Sequence, residues 1–222
     1  LGGNAPFIVF DDADMDTAIT ACMASKMRNS GQTCVATNRI YVQDSVHDEF
    51  VEKLHLAMSE LKVGHGCDDE VSIGPLIHRR AAERVKGLVE NAVASGAKLE
   101  LGGEFLVNGE SYFAPTLLTD VTDQMRVSQD EIFGPIAAVQ KFINEEDVVQ
   151  RANATPYGLA AYVITENIHR ANRVVEALEC GMVGCNTGAF STTVAPFGGT
   201  KESGLGREGG VEGMAEFYET KY

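Results

Sequence analysis

Short apolar runs alternate with amphipathic stretches of helical length along most of this chain, and that alternation is the strongest constraint on its fold. Phe7-Ile8-Val9-Phe10 suits a buried strand. The acid-rich segment Asp11 to Asp16 then supplies N-cap and first-turn charge for a helix over Thr17–Arg28, which Asn29-Ser30-Gly31 ends. Arg39–Gln43 alternates like a strand. Ser45-Val46-His47-Asp48 reads as a capping box, with Val46, Phe50, Leu54 and Leu61 on one face of a helix running through Leu61. After a polar loop from Gly64 to Gly74, an amphipathic helix is expected over Arg79–Ala94. Val85, Leu88, Val89 and Ala92 share one side of it, and Gly96 caps it.

Leu99-Glu100-Leu101, Tyr112–Leu118, Ile136–Phe142, Ala161–Ile164 and Met182–Cys185 read as strands, and Glu145–Asn153 and Ile168–Leu178 as helices. A Gly-rich stretch, Phe197–Gly213, precedes a last extended segment, Phe217–Tyr222. The pattern predicts an α/β domain of three layers, a largely parallel sheet covered on both faces. The last segment, after its glycine-rich loop, reads as an arm that pairs elsewhere.

The chain has 222 residues, enough to bury a sizeable core, and 44% hydrophobic with 23% charged residues excludes disorder. With 18 Lys and Arg against 32 Asp and Glu, the net charge of −14 repels phosphate backbones, so no nucleic-acid partner is expected. No apolar run approaches the ~18 residues of a spanning helix, so no membrane partner is expected either. Five cysteines, at 22, 34, 67, 180 and 185, form no C-x-x-C pair and no cluster with histidine. That argues against structural zinc or a disulfide framework, so the metal expectation is none and the compartment a reducing one. The first residue is Leu1, in mid-motif, which reads as a piece of a longer polypeptide.

Cys34 is the leading nucleophile. It follows a helix in the Gly-bearing turn Asn29-Ser30-Gly31-Gln32-Thr33-Cys34, where backbone N–H groups can converge on a thiol. The bland alternative is a small core hydrophobe, which is what most lone cysteines are. Cys22, Cys180 and Cys185 lie in apolar patterns and read as core, and Cys67 as incidental in a polar loop. Arg28, six residues before Cys34, is either helix-end charge compensation or a guanidinium that holds a carboxylate. Glu131-Ile132-Phe133-Gly134-Pro135 is either the approach to a strand with a solvated acid, or a carboxylate for a sugar diol beside an aromatic ring. Gly204-Leu205-Gly206-Arg207-Glu208-Gly209 spells G-x-G-x-x-G but follows loop rather than strand, so it is rejected as a dinucleotide fingerprint. His47 and His55 read as surface residues. Asn153-Ala154-Thr155 is a formal glycosylation sequon without expected use.

Leu1-Gly2-Gly3-Asn4, Gly31-Gln32-Thr33-Cys34, Glu131-Ile132-Phe133-Gly134-Pro135 and Pro196-Phe197-Gly198-Gly199, with Lys201, Ser203 and Gly204, occur in that order. Together they resemble the aldehyde dehydrogenase family over essentially the whole chain. Arg28 to Cys34 and Gly204 to Gly209 look most like its succinate-semialdehyde branch. The resemblance implies an oxidoreductase using NAD or NADP, in which Cys34 is the catalytic nucleophile and its own N–H half of an oxyanion hole. It implies that Glu131 and Phe133 bind the cofactor, at the ribose and beside the nicotinamide. It implies that Arg28, Ser191 and Phe197 bind substrate, the first two at a distal carboxylate. Residues 1–216 would be the catalytic domain, and 217–222 a strand for a homodimer or homotetramer. The partner is a small aldehyde. The location is cytoplasmic, with the mitochondrial matrix as the alternative.

The departures matter equally. The family's general-base Glu precedes the Leu-Gly-Gly motif, and its second oxyanion donor and dinucleotide-binding domain lie further upstream; a chain beginning at Leu1 contains none of them. The 222 residues alone are therefore expected to be almost inert, since a general base supplies about 10²–10⁴-fold and one oxyanion donor about 10²–10³-fold. Ala36 stands where many members of the branch carry a second cysteine, so that disulfide switch is absent. Other substrates kept open are glutarate semialdehyde and neutral aliphatic aldehydes. From another class, a non-catalytic α/β assembly domain remains the competing reading.

Overall fold

Seven strands form one sheet in the order β3-β4-β5-β2-β1-β7-β8 in the computed structural model, which describes residues 2–106 and 111–222. Leu1 of the opening motif lies outside the described residues. The elements in chain order are β1 (Ala5–Val9), α1 (Met15–Met27), β2 (Thr37–Gln43), α2 (His47–Ser59), α3 (Arg79–Ala94), β3 (Lys98–Leu101), β4 (Thr116–Thr119) and α4 (Arg126–Gln129). They continue with β5 (Ile136–Phe142), α5 (Glu145–Asn153), β6 (Tyr157–Gly158), β7 (Ala160–Ile164), α6 (Ile168–Ala177), β8 (Met182–Cys185) and β9 (Thr200–Lys201). Every neighbouring pair in the large sheet is parallel except β3–β4. β6 and β9 make a separate antiparallel clasp.

The three layers follow from side-chain alternation along the strands. Phe7, Val9, Ile40, Val42, Tyr162 and Ile164 pack one face against α1 and α2. Ile8, Phe10, Tyr41, Ala161 and Val163 point the other way, toward Val148 of α5 and Val174 of α6. Beside them, Ile136 and Ala138 join Val85, Leu88 and Val89 of α3. A strand buried on both faces reads as a continuous apolar run, which is why β1 was legible. Asp14 caps α1 by accepting from Thr17 N at 2.8 Å, and Asn144 and Asn167 cap α5 and α6 in the same way.

Several expectations need correction. The proposed capping box at Ser45 does not form. Residues Asp44–Val46 make a 3₁₀ turn, and Asp48 instead accepts from the His47 ring at 2.8 Å. His47 is buried rather than on the surface, because the turn rotates it onto the core-facing side of α2 with Phe50 and Leu54. Cys185 is exposed at the end of β8, an edge strand, and is not core. Tyr112–Leu118 shortens to Thr116–Thr119, since Phe113 makes only an isolated bridge to Phe105. Phe217 closes a 3₁₀ turn over Glu212–Phe217 rather than starting an extended segment, and residues 218–222 form no strand with the described chain. The β6–β9 clasp went unseen in the sequence because two-residue strands carry no periodicity.

Candidate active site

The candidate residues gather where the parallel strands begin. Gly3 precedes β1, Cys34 precedes β2, Glu131 and Phe133 precede β5, and Gly158 precedes β7. Open α/β sheets ordinarily hold ligands beyond the carboxyl ends of their strands. Here the chemistry-bearing side chains sit at the opposite edge, where strand N–H groups are free to donate. Gly3 N donates to Glu131 Oε1 at 3.0 Å.

Cys34 is delivered by an unusual turn. α1 ends at Met27, Arg28 turns extended, and Asn29, Ser30 and Gly31 then adopt left-handed backbone with φ of 52, 58 and 72°. Three such residues in succession persist only when their surroundings hold them. Ser30 Oγ donates to Gly74 O at 2.9 Å, and Gln32 Oε1 accepts from Ile77 N at 2.8 Å. Asn29 Nδ2 donates to Gln32 O at 2.9 Å, which closes the turn on itself. A Cβ on Gly31 would lie 2.2 Å from Gly134 O, so the turn before Cys34 and the Glu131–Pro135 loop touch backbone to backbone.

The Cys34 thiol is half-buried and faces two backbone N–H groups, its own and that of Val35. Burial pushes its pKa above the ordinary thiol value, those N–H groups oppose the shift, and the charges of Glu131 and Glu208 add to it. The site therefore favours the thiol at rest and holds donors ready for charge that develops beside it.

Glu131 and Phe133 flank the buried Ile132. Burial raises the Glu131 pKa, while the Gly3 hydrogen bond and the nearby Arg84 and Lys26 charges lower it. Arg84 clamps the loop from outside through the carbonyls of Glu131, at 2.9 Å, and Ile132. Phe133 has φ +48°, a genuine outlier for a bulky residue, and remains 38% exposed. Glu131 Oε2 receives no hydrogen bond among the described residues. A half-buried carboxylate with open lone pairs, two residues from an accessible ring, fits the ribose diol and ring of a nicotinamide nucleoside. The G-x-G-x-x-G segment has positive φ at Gly204, Gly206 and Gly209 and runs into the 3₁₀ turn, so it remains a turning loop.

Tyr162 links the substrate-side candidates. Its hydroxyl donates to Val35 O at 2.8 Å, and it lies within electrostatic reach of both Arg28 and Cys34. Its ring centroid is 5.1 Å from that of Phe190, which places the neighbouring Ser191 on the loop over this region, exposed like Arg28. Phe197 packs on the same core cluster as Cys34. It exchanges two backbone hydrogen bonds with Glu208, one of the carboxylates acting on the thiol. No hydrogen bond joins Arg28, Ser191 and Cys34 directly among the described residues.

Sequence reasoning missed Tyr162, Lys26, Arg84 and Ser203. Tyr162 was findable as an aromatic with a polar tip on a buried strand. Ser203 belongs to the quoted motif, but its role was not legible; its hydroxyl donates to Gly2 O at 2.7 Å and ties the C-terminal segment to the start of the chain. Asn153 of the sequon spends both ends of its amide on Ala177 O and Glu179 N.

The profile of the aldehyde dehydrogenase family matches residues 1–222. The chain is 52% identical to a succinate-semialdehyde dehydrogenase (NADP(+)) of Escherichia coli and 51% identical to a glutarate-semialdehyde dehydrogenase of Pseudomonas putida. Each comparison covers 100% of this chain and 46% of the relative. The fold superposes on the crystal structure of an aldehyde dehydrogenase from Brucella melitensis biovar abortus with a TM-score of 0.97 at 57% identity, covering 100% of this chain and 45% of that one. The chain thus spans about half the length of the relatives it matches.

Proposed function

This chain belongs to the aldehyde dehydrogenase family, and on that premise we propose that the natural polypeptide carrying it oxidises succinate semialdehyde to succinate with NAD or NADP. The observation that carries the reading is the setting of Cys34. Its half-buried sulfur faces two backbone N–H groups at the end of a braced turn, with the Arg28 charge reaching the same tyrosine.

In this reading the Cys34 thiol gives its proton to solvent water, and its sulfur adds to the aldehyde carbon. The carbonyl π pair moves to oxygen, and the Cys34 N–H supplies half of the oxyanion hole that stabilises it. Arg28 and Ser191 hold the distal carboxylate, and Phe197 lines the approach. Glu131 and Phe133 would hold the nicotinamide end of a dinucleotide, which when bound supplies the acceptor for the hydride leaving the thiohemiacetal carbon. Water then attacks the thioester on Cys34, releasing the acid and restoring the thiol. Holding a short substrate at both ends supports the orientation this chemistry needs.

Residues 1–216 would form the catalytic domain, and 217–222 an arm for a homodimer or homotetramer. Exposure of Phe217 and Tyr218 supports that assignment. Glutarate semialdehyde is the second reading, favoured by the 51% identical relative named for it, because Arg28 does not measure chain length.

The test compares kcat/KM on succinate semialdehyde and butyraldehyde in that polypeptide, with NAD(P)H formation as the signal. A preference of about 100-fold that collapses in Arg28→Ala is expected from the loss of a charge-assisted pair. Equal rates on the two aldehydes would sink the carboxylate anchor while leaving Cys34 chemistry standing. No turnover of any aldehyde, with Cys34 alkylated no faster than Cys67, would leave the non-catalytic assembly domain as the reading.

A further inference from the structure

We propose that Asn38 is a positioning residue. It locks the Glu131–Phe133 loop to the strand that carries the nucleophile, and cofactor affinity depends on that lock. The inference rests on the function proposed above and concerns a residue outside the roles assigned there.

Asn38 lies on β2, four residues after Cys34, and is 3% exposed. Its Oδ1 accepts from Ile132 N at 2.7 Å, across 94 residues of chain. Its Nδ2 donates to Asn4 Oδ1 at 2.8 Å and to Asp130 O at 3.1 Å. Asn4 in turn donates to Ser128 O at 2.9 Å and Gln129 O at 3.1 Å. These carbonyls end α4, where the last turn of any helix leaves acceptors unpaired. Two asparagines from the starts of β1 and β2 therefore cap α4 and catch the next free N–H. The orientation of the Asn38 amide is determined, because Ile132 N requires an acceptor and Asp130 O requires a donor. Arg39 completes the cluster by donating to Asn4 Oδ1 at 2.9 Å and Asn4 O at 2.8 Å.

The position matters because Ile132 separates the two residues proposed to hold the cofactor. The Glu131 side chain is held by Gly3 N, next to Asn4, and the Ile132 backbone is held by Asn38. The loop's register against Cys34 is thus set by two adjacent strand starts, which pair at Ala5 and Thr37 and, after a one-residue shift that leaves Asn38 outside the ladder, from Pro6 and Arg39 onward. Without Asn38, Ile132 N becomes a buried donor without a partner, and the loop with its positive-φ Phe133 is free to shift. A displacement of about 1 Å is enough to spoil a binding geometry.

The experiment uses the natural polypeptide and compares Asn38→Ala and Asn38→Asp with Ser25→Ala. That control breaks a buried 2.7 Å hydrogen bond to Thr37 without touching the loop. NADH and NADPH dissociation constants, hydrogen exchange of the Ile132 amide, cofactor-free alkylation of Cys34 by iodoacetamide and Tm are measured in each. Asn38→Ala is expected to weaken the preferred cofactor and speed Ile132 exchange by about tenfold each, with alkylation within about twofold. Asn38→Asp keeps the acceptor and should protect Ile132 better than Ala does, which remains readable if the Ala variant fails to fold. Ser25→Ala should lower Tm while leaving cofactor and exchange values in place. Unchanged cofactor affinity in a folded Asn38→Ala protein overturns the proposal, as does an equal loss in Ser25→Ala. If the unsubstituted protein binds neither NADH nor NADPH, the functional reading fails first and takes the cofactor role of Asn38 with it. Ile132 exchange then judges only the mechanical lock.

Discussion

Lys26 is 1% exposed in the last turn of α1, a burial that nothing in its sequence neighbourhood announces. Desolvation drives its pKa down to about 7, with the charges of Cys22 and Glu131 opposing the drop. The unfolded chain keeps the lysine proton up to its ordinary range, whereas the folded chain releases it near 7. Between those limits the unfolded state binds more protons, so stability rises with pH across that window. Lys26→Met should therefore raise Tm most at pH 6 and lose the advantage as pH approaches the ordinary lysine range. Each kcal/mol is worth about 2–4 °C in a domain of this size. Thermal melts at pH 6 and pH 10 check this, and a gain independent of pH would show that Lys26 keeps its ordinary pKa in the folded chain. Residue types and motif order singled out Cys34, Arg28 and Glu131 as candidates. Burial of one lysine or one histidine depends on which helix face meets the sheet.

At the scale of elements, the left-handed turn before Cys34 decides where its thiol stands. Glycine and asparagine are cheap in that conformation, and the segment contains one of each. What could not be read is that Ser30 joins them, because its backbone is held by partners 44 or more residues away. Gly31→Ala adds a Cβ at φ +72°, 2.2 Å from Gly134 O, with backbone rather than a flexible side chain in the way. We expect it to lose more than about 2 kcal/mol of stability and to slow Cys34 alkylation by iodoacetamide, measured by denaturant melts and mass spectrometry. A fully stable Gly31→Ala protein would mean that the two loops separate at little cost. Helices and central strands were placed within a few residues, and Ile136–Phe142 and Glu145–Asn153 agree end to end. The failures lie at short or locally ambiguous pieces, the Ser45 box and the β6–β9 clasp, where a neighbouring residue or a distant strand outcompetes local propensity.

For the molecule as a whole, the C-terminal segment is the part least absorbed into the layers. Val211, Phe217 and Tyr218 stand exposed beyond the Ser203 tie. If residues 218–222 pair only with another copy, deleting them from the natural polypeptide should lower its oligomeric mass in sedimentation while leaving Cys34 alkylation unchanged. An unaltered mass would remove the arm from the account. The net charge of −14 is the excess of carboxylates over cations, and several of the cations pair locally. Arg170 and Arg173 of α6 pair with Asp11 and Asp12 in the turn after β1 and with Glu145 of α5.

The succession of the longer strands and helices, the buried central strands and the presence of a turn before Cys34 were determined by the sequence alone. Periodicity, caps and glycine placement act over a few residues. The antiparallel β3 edge, the burial of Lys26 and His47, the two-asparagine cap on α4 and the meeting of Gly31 with Gly134 came only from the tertiary structure. The β3 pairing, the asparagine cap and the Gly31–Gly134 contact join groups far apart in the chain, brought together by packing of the sheet, and no local pattern encodes that distance.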